Sequence, residues 1–332
     1  MATSGELSPT SPVILQDEID GANAVYQHEV PAGATPINSL FLSLLDINAD
    51  GFFALAYEEN GVTFVSFEGT VFAPTIYGLA SEAADLQIAE GQSPRALTDA
   101  ILFTQDVQSL VGSTPIYLTG HSLGGAEAEA VSQFAASPGN NLSIAGGVTF
   151  GAPGLPGYFG PTGLGNLTDF IDYGDPVGNY AHDGELAVFQ FGGSQITSAT
   201  GNHFGTVDYV GPPADATAMV GDLQTGNVLA ALQFHELSHY ATDLGLTLDP
   251  PSLVGGGAPT SSTFGLMNAQ TTTGPQDDGK PPHVPPGLDH VVALLNQPIA
   301  AGFSDPYGAL NTNPLSQIVT NQEQFLANPH HG

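Results

Sequence analysis

The pentapeptide Gly120-His121-Ser122-Leu123-Gly124 constrains this chain more than any other stretch, because of what flanks it. Ahead of it, Pro115-Ile116-Tyr117-Leu118-Thr119 is a short apolar run with β-branched and aromatic residues, the pattern of a buried strand. Behind it, Gly125 to Phe134 is alanine-rich and free of proline, so a helix is the natural continuation. A G-x-S-x-G segment at such a junction predicts a sharp strand-to-helix turn with Ser122 at its tip. The flanking glycines let two backbones approach where a side chain would block them. The Ser122 hydroxyl then sits over a helix N-terminus, where negative charge is stabilised. The plainer alternative is a glycine-rich turn whose serine only caps the helix.

Charge narrows the field further. The 332 residues include 33 acidic ones but only two basic ones, Arg95 and Lys280, for a net charge of −31. Almost no carboxylate can therefore find a lysine or arginine partner. A nearly single-signed surface argues against nucleic acid and anionic membranes as partners, and fits a saline or an acidic habitat. With no cysteine, disulfides are excluded and the redox compartment is unreadable. Met1 to Thr10 carries neither a basic nor an apolar signal region, so no signal peptide is read there. No run approaches the roughly 18 apolar residues of a membrane helix. Oligomeric state leaves no mark in the sequence.

The middle of the chain alternates between strand and helix patterns. Residues 1–40 mix turn residues with short apolar runs and end in a helix or strand start at Asn38 to Leu42. Phe52–Tyr57 and Val62–Phe67 read as two strands joined through Asn60-Gly61, a hairpin-turn signal. Ser93 as cap and Pro94 as first residue open a helix with Leu97, Ile101, Leu102, Val107 and Leu110 at helical intervals. Further strands are expected at 115–119, 144–150, 167–173 and 187–191, and a helix from about Val228 to Leu244. The alternation predicts an α/β fold, a mostly parallel central sheet with helices on both faces. Residues 249–286 are dense in proline, glycine, serine and threonine. The expected division is therefore a catalytic body over 1–248 and an appended 249–332 segment.

A serine nucleophile needs a base, an orienting acid and an oxyanion hole. Asp175, in the turn after Leu167 to Tyr173, lies where a parallel sheet places its sites, although alone it reads as an ordinary Asp-Pro turn. Several short pieces then occur in a recognisable order: Val65-Ser66-Phe67-Glu68-Gly69-Thr70, Ala84-Asp85-Leu86, Leu118 to Gly125, Thr149-Phe150-Gly151-Ala152-Pro153-Gly154, Asp175-Pro176-Val177, and His235 with Tyr240. In these the chain resembles the class 3, fungal-type lipases of the α/β-hydrolase fold, over roughly residues 40–245. The resemblance implies Ser122 as nucleophile, Asp175 as orienting acid and His235 as general base. It implies Thr70 (hydroxyl and N–H) and the Leu123 N–H as oxyanion hole, an ester or lipid substrate, secretion, and no required cofactor. Glu68 departs from the family, which has arginine there. An acidic side chain near an oxyanion site opposes its charge, so Glu68 is expected to point away or be paired. The family's lid falls on Val71 to Ala84, with Val71, Phe72, Ile76, Tyr77 and Leu79, and reads equally as a lid or a surface helix.

Two rival signals stand beside this one. His235-Glu236-Leu237-Ser238-His239 spells H-E-x-x-H on an expected helix, the pattern of a zinc metallopeptidase. No third ligand follows at the usual spacing, and the pentapeptide begins where the lipase pattern wants its histidine. His239, on the same expected helix face, is the alternative base. Asp46, Asn48 and Asp50 match the first half of a Ca2+ loop, but position 57, where the closing glutamate belongs, is Tyr57. The plainer reading is a polar turn. The expectation is thus a carboxylic ester hydrolase working through an acyl-serine. A zinc metallopeptidase and a non-catalytic hydrolase-fold binding protein are the alternatives.

The charge excess yields a first prediction. Repulsion among like charges destabilises the compact state, and salt shortens the Debye length from about 30 Å at 0.01 M to about 8 Å at 0.15 M. The thermal midpoint is expected to rise with sodium chloride; indifference to salt would show that the acidic surface is too dispersed to matter.

Overall fold

The computed structural model describes residues 12–37, 52–70, 93–184, 188–191, 194–197, 200–225 and 227–248. The Asp46–Asp50 loop, the Val71–Ala84 lid candidate, the helix or strand start at Asn38 to Leu42 and the 249–332 segment lie outside the described residues.

A sheet of seven strands carries the fold, in the order β1-β2-β3-β4-β5-β6-β9. The strands are β1 (Thr35–Pro36), β2 (Ala54–Glu59), β3 (Val62–Phe67), β4 (Ile116–His121), β5 (Gly146–Phe150), β6 (Leu167–Asp172) and β9 (Thr206–Val210). From β3 through β4, β5 and β6 to β9 every pairing is parallel; β1 and β2 add an antiparallel edge. The β2–β3 hairpin turns through Asn60 and Gly61, both at positive φ, as the Asn-Gly pair predicts. The architecture is α/β with a mostly parallel sheet.

Helices cover both faces, and the strand period of two decides which residues meet them. On one face Ala54, Ala56, Val65, Phe67 and Leu118 pack against α2 (Arg95–Val111) and α3 (Leu123–Ala136), through Ala96, Phe103, Val107 and Val131. On the other face Val148, Phe150 and Phe170 meet α1 (Pro12–Ala24) and α6 (Leu237–Leu244), through Ile19, Ala22 and Tyr240. Tyr57, Phe64 and Tyr117, alternate in sequence with the first set, pack with Ile14 in a further cluster. Between β9 and α6 lie α4 (Ala214–Thr225) and α5 (Val228–Leu232). Among the described residues no helix is long and apolar enough to cross a membrane.

Four expectations need correction. Helix α1 replaces the irregular segment read over residues 1–40. The run at 188–191 (β7) pairs only with β8 (Ser194–Thr197) in a separate hairpin, while the last parallel strand is β9, which the sequence reading missed. The single helix expected over 228–244 is three pieces: α5, a 3-10 turn over Gln233–His235, and α6 after an extended Glu236 (φ −68°, ψ 135°). Finally, Pro94 is the cap of α2 rather than its first residue, and no side chain caps it; Leu102 and Leu110 of the helical pattern are exposed.

Of the buried acids, Asp99 pairs with Arg95, and others lie among groups that are neither lysine nor arginine. Glu18 is wholly buried with both carboxyl oxygens lacking a partner, and burial raises it well above the usual carboxylate range. Asp169 is buried too; burial pushes it up to about 6, although His203 and the Thr149 hydroxyl pull the other way. Buried His203 donates from Nδ1 to Asp183 Oδ1 (3.0 Å) and from Nε2 to Ala152 O (2.9 Å), which requires an imidazolium. Burial opposes that charge, but Asp183, Glu129 and Asp169 override it and push His203 up to about 10.

The sign of the pH dependence follows. Asp169 loses its stabilising contribution as pH rises from 3.8 to about 6, and His203 loses its own between 6.5 and about 10. Asp183 and Asp175, both held low, lose theirs only as pH falls below 3.8. The thermal midpoint is therefore expected to be higher at pH 5 than at pH 9. His203→Gln should flatten the upper part of that fall, and a midpoint that climbs from pH 5 to pH 9 would contradict these assignments.

Candidate active site

Strands β3, β4, β5 and β6 end side by side, with Phe67 paired to Gly120, His121 to Phe150 and Phe150 to Phe170. Ser122 and Asp175 follow strands that end at this edge, and His235 reaches it from the 3-10 turn over Gln233–His235. Ser122 follows the last residue of β4 and precedes the first of α3, with φ 58° and ψ −126°, a conformation rare for a residue with a Cβ. Tight packing of α3 on the sheet holds it there. A Cβ on Gly120 would collide with the Gly124 carbonyl, and one on Gly124 with the Phe67 carbonyl. Only glycine at both positions lets α3 start directly over β3 and β4. Ser122 makes no side-chain cap bond to α3, so the capping alternative does not describe its hydroxyl.

That hydroxyl donates to His235 Nε2 at 2.9 Å, and His235 Nδ1–H donates to Asp175 Oδ2 at 2.8 Å. All three side chains are buried. Asp175 accepts further bonds, from the Tyr240 hydroxyl (2.5 Å) at Oδ2 and from the N–H groups of Val177 (2.7 Å) and Gly178 (3.1 Å) at Oδ1. Burial alone would raise the Asp175 carboxyl, but His235, Tyr240 and the Val177 N–H outweigh it and hold it below its ordinary range. It stays a carboxylate, which places the proton of His235 on Nδ1 and leaves Nε2 free to accept.

His121 holds the base from behind. Its Nε2–H donates to the backbone carbonyl of His235 (2.7 Å) and its Nδ1 accepts from the Tyr26 hydroxyl (2.9 Å). Burial, with His235 beside it, pushes His121 down to about 3, so the ring is neutral. The sequence reading assigned His121 and Tyr26 no role. The only available signal was a histidine inside the pentapeptide, since a partner 95 positions away is invisible without the fold.

The residues assigned to the oxyanion hole sit at the same edge. Gly69 lies against the His121 carbonyl, 2.5 Å from where its Cβ would stand, which brings Thr70 up beside the serine turn. Thr70 is buried and its hydroxyl has no hydrogen-bond partner among the described residues. Leu123 opens α3, so its N–H has no partner inside the helix. Glu68 is buried and paired, its Oε1 3.2 Å from His28 Nε2. Burial alone would lower His28, but Glu68 beside it outweighs that and raises it above its ordinary value.

His239 is not beside Ser122. Its Nε2 faces Asp172, Asp215 and Asp243 instead. The extended Glu236 breaks the helix on which His235 and His239 were expected to share a face. Both ring nitrogens of His235 are already engaged by Asp175 and Ser122, so the H-E-x-x-H pair does not converge on one ion. Asp46, Asn48 and Asp50 lie outside the described residues. No family model and no curated protein sequence matches this chain.

Gly151, at φ 63°, closes the site from below. A Cβ there would stand 2.5 Å from Asp175 Oδ2 and 2.8 Å from His235 Nδ1, and alanine is strained at that φ besides. Gly151→Ala is expected to spread the His235–Asp175 pair and to cost about 100-fold in any reaction the site performs, the scale of a 1 Å displacement. Unchanged turnover would show that the pair does not contribute.

Proposed function

We propose that this chain is a carboxylic ester hydrolase of the α/β-hydrolase fold, of the class 3 lipase kind, acting through an acyl-Ser122 intermediate. One observation carries the reading: an unbroken hydrogen-bond chain from Ser122 Oγ through His235 to Asp175, at the carboxyl edge of a parallel sheet, with the serine held at positive φ. The order serine, aspartate, histidine along the sequence and the short motifs around each support it. Residues 1–248 form the catalytic body in this reading.

The Ser122 oxygen attacks the ester carbonyl carbon as His235 Nε2 takes the hydroxyl proton. The carbonyl oxygen becomes an oxyanion, met by the Thr70 hydroxyl and N–H and by the Leu123 N–H at the positive end of α3. When the carbon–oxygen bond to the leaving alcohol breaks, His235 returns the proton to that oxygen. Water then attacks the acyl-serine, giving its proton to Nε2. The second tetrahedral species collapses to the free acid and restores the Ser122 hydroxyl. Asp175 remains ionised throughout and stabilises the imidazolium formed in each half of the cycle. The Thr70 hydroxyl suits this role, because among the described residues it has no hydrogen-bond partner to give up in turning toward the developing charge.

A p-nitrophenyl ester series from acetate to palmitate tests the activity and its acyl-length range, and an organophosphonate should label Ser122 stoichiometrically. Ser122→Ala and His235→Ala should each lose at least about 10⁴-fold in turnover with the fold intact, whereas His239→Ala should be milder. Retention of more than about a hundredth of the turnover in Ser122→Ala would overturn the reading. An inactive His239→Ala beside an active His235→Ala would reassign the base.

A further inference from the structure

The side chains around His239 take no part in that reaction, and they make a site of their own. Asp172 is the last residue of β6, His239 and Asp243 are one turn apart on α6, and Asp215 lies in the first turn of α4. Three carboxylate oxygens surround His239 Nε2: Asp243 Oδ2 at 3.5 Å, Asp172 Oδ2 at 3.6 Å and Asp215 Oδ2 at 4.0 Å. Asp172 is 0% exposed; its Oδ1 accepts from the Gly174 N–H at 2.6 Å, while its Oδ2 points into the cluster, where no N–H or hydroxyl among the described residues donates to it and the Asp243 carboxyl lies alongside. His239 Nε2 and Asp243 Oδ2 are buried too. A Cβ on Gly211 would run into both Asp172 Oδ2 and Asp243 Oδ2, so this glycine leaves the space the carboxylates occupy.

A hydrogen bond between the Asp172 and Asp243 carboxyls needs a proton held between them, and it leaves His239 without a close partner. The nitrogen–oxygen separations exceed the usual 2.7–3.2 Å, and one imidazole, even protonated, offers a single positive charge to three carboxyls. Nor does a guanidinium supply the rest, since Arg95 pairs with Asp99 on α2. The separations suit a different geometry. Ligands about 2.0–2.1 Å from a tetrahedral ion stand about 3.4 Å from one another, close to the two shortest distances here. The ligand atoms of Asp172, His239 and Asp243 all lie within 4.8 Å of one another.

We propose that Asp172, His239 and Asp243 bind one divalent cation of the zinc type. An imidazole nitrogen among the donors selects zinc or its first-row neighbours over calcium, which takes oxygen ligands. Through these three ligands the ion fastens the end of β6, three residues ahead of Asp175, to the helix that carries Tyr240. None of Ser122, Asp175 or His235 is used, so this site stands or falls separately from the hydrolase reading.

The full-length protein, stripped with chelator and dialysed, is titrated with zinc chloride, and bound metal and thermal midpoint are measured at constant ionic strength. One zinc per chain is expected. The midpoint should rise by roughly 5–10 °C at a free zinc concentration 100 times the dissociation constant, with a smaller rise for calcium. His239→Gln and Asp243→Asn should each weaken zinc binding at least about 10-fold. Glu58→Gln, an exposed control on β2, and His235→Gln should bind as the parent does. Absence of stoichiometric zinc would overturn the proposal, as would equal binding by His239→Gln and Asp243→Asn, the mark of a diffuse anionic surface. An Asp243→Asn variant that is more stable without metal, in a protein indifferent to zinc, would instead establish a proton shared between two carboxyls. Loss of zinc in His235→Gln to the same degree as in His239→Gln would restore the peptidase-type pairing.

Discussion

Parallel pairing from β3 to β6 is the constraint on which the rest depends. Parallel strands all end at the same edge, so the residues that follow Phe67, His121, Phe150 and Asp172 are delivered to one line without being near in sequence. The packing of α3 then sets the height of that line. Because Gly120 and Gly124 let the helix begin against the β3 and β4 backbones, Ser122 is driven into a strained conformation instead of relaxing into a cap. Gly151 and the turn at Asp175 fill the remaining width. A few close backbone contacts, rather than many side-chain choices, determine where the chemistry sits.

The second organising fact is chemical. A chain with two lysine and arginine residues still buries carboxyl groups, and histidine stands in as counter-ion to some of them. Glu68 has His28 and Asp183 has His203, while Asp99 takes Arg95. Each histidine pair places a weak base where another protein would use a permanent cation. The cost is a dependence on proton concentration that an arginine would not bring. Glu68 illustrates this directly: the group beside its buried carboxyl is His28, which arrives from the turn after α1.

Much of the central unit was legible in the sequence because its signals are local. The strand before Ser122, the helix after it and the Asn60-Gly61 hairpin each declare themselves within a few residues. Asp175 and His235 needed the resemblance, since an Asp-Pro turn and a histidine among many carry little alone. What escaped was set by tertiary contact. The break at Glu236 has no glycine or proline to announce it; it is enforced by a histidine whose two ring nitrogens are both claimed. Helix α1 was hidden by Asp17, Glu18, Asp20 and Gly21 interleaved with its apolar residues, of which Glu18 is buried against ordinary preference. Strand β9 is only half-buried and shows weak alternation. The His239 cluster draws on β6, α4 and α6, and no spacing rule joins Asp172 to Asp243.

The bond from His121 to the His235 carbonyl divides the site mechanically. The residue beside the nucleophile grips the backbone of the base, so both move with β4. Asp175 is moored elsewhere, to the end of β6, by Asn179 reaching the carbonyls of Asp172 and Asp175 at 2.8 Å each. Strand β5 separates these two bodies. Tyr240, five residues past His235, bridges them: its hydroxyl donates to Asp175 Oδ2 and accepts from the Asp172 N–H, so the segment that carries the base is held to β4 on one side and to β6 on the other.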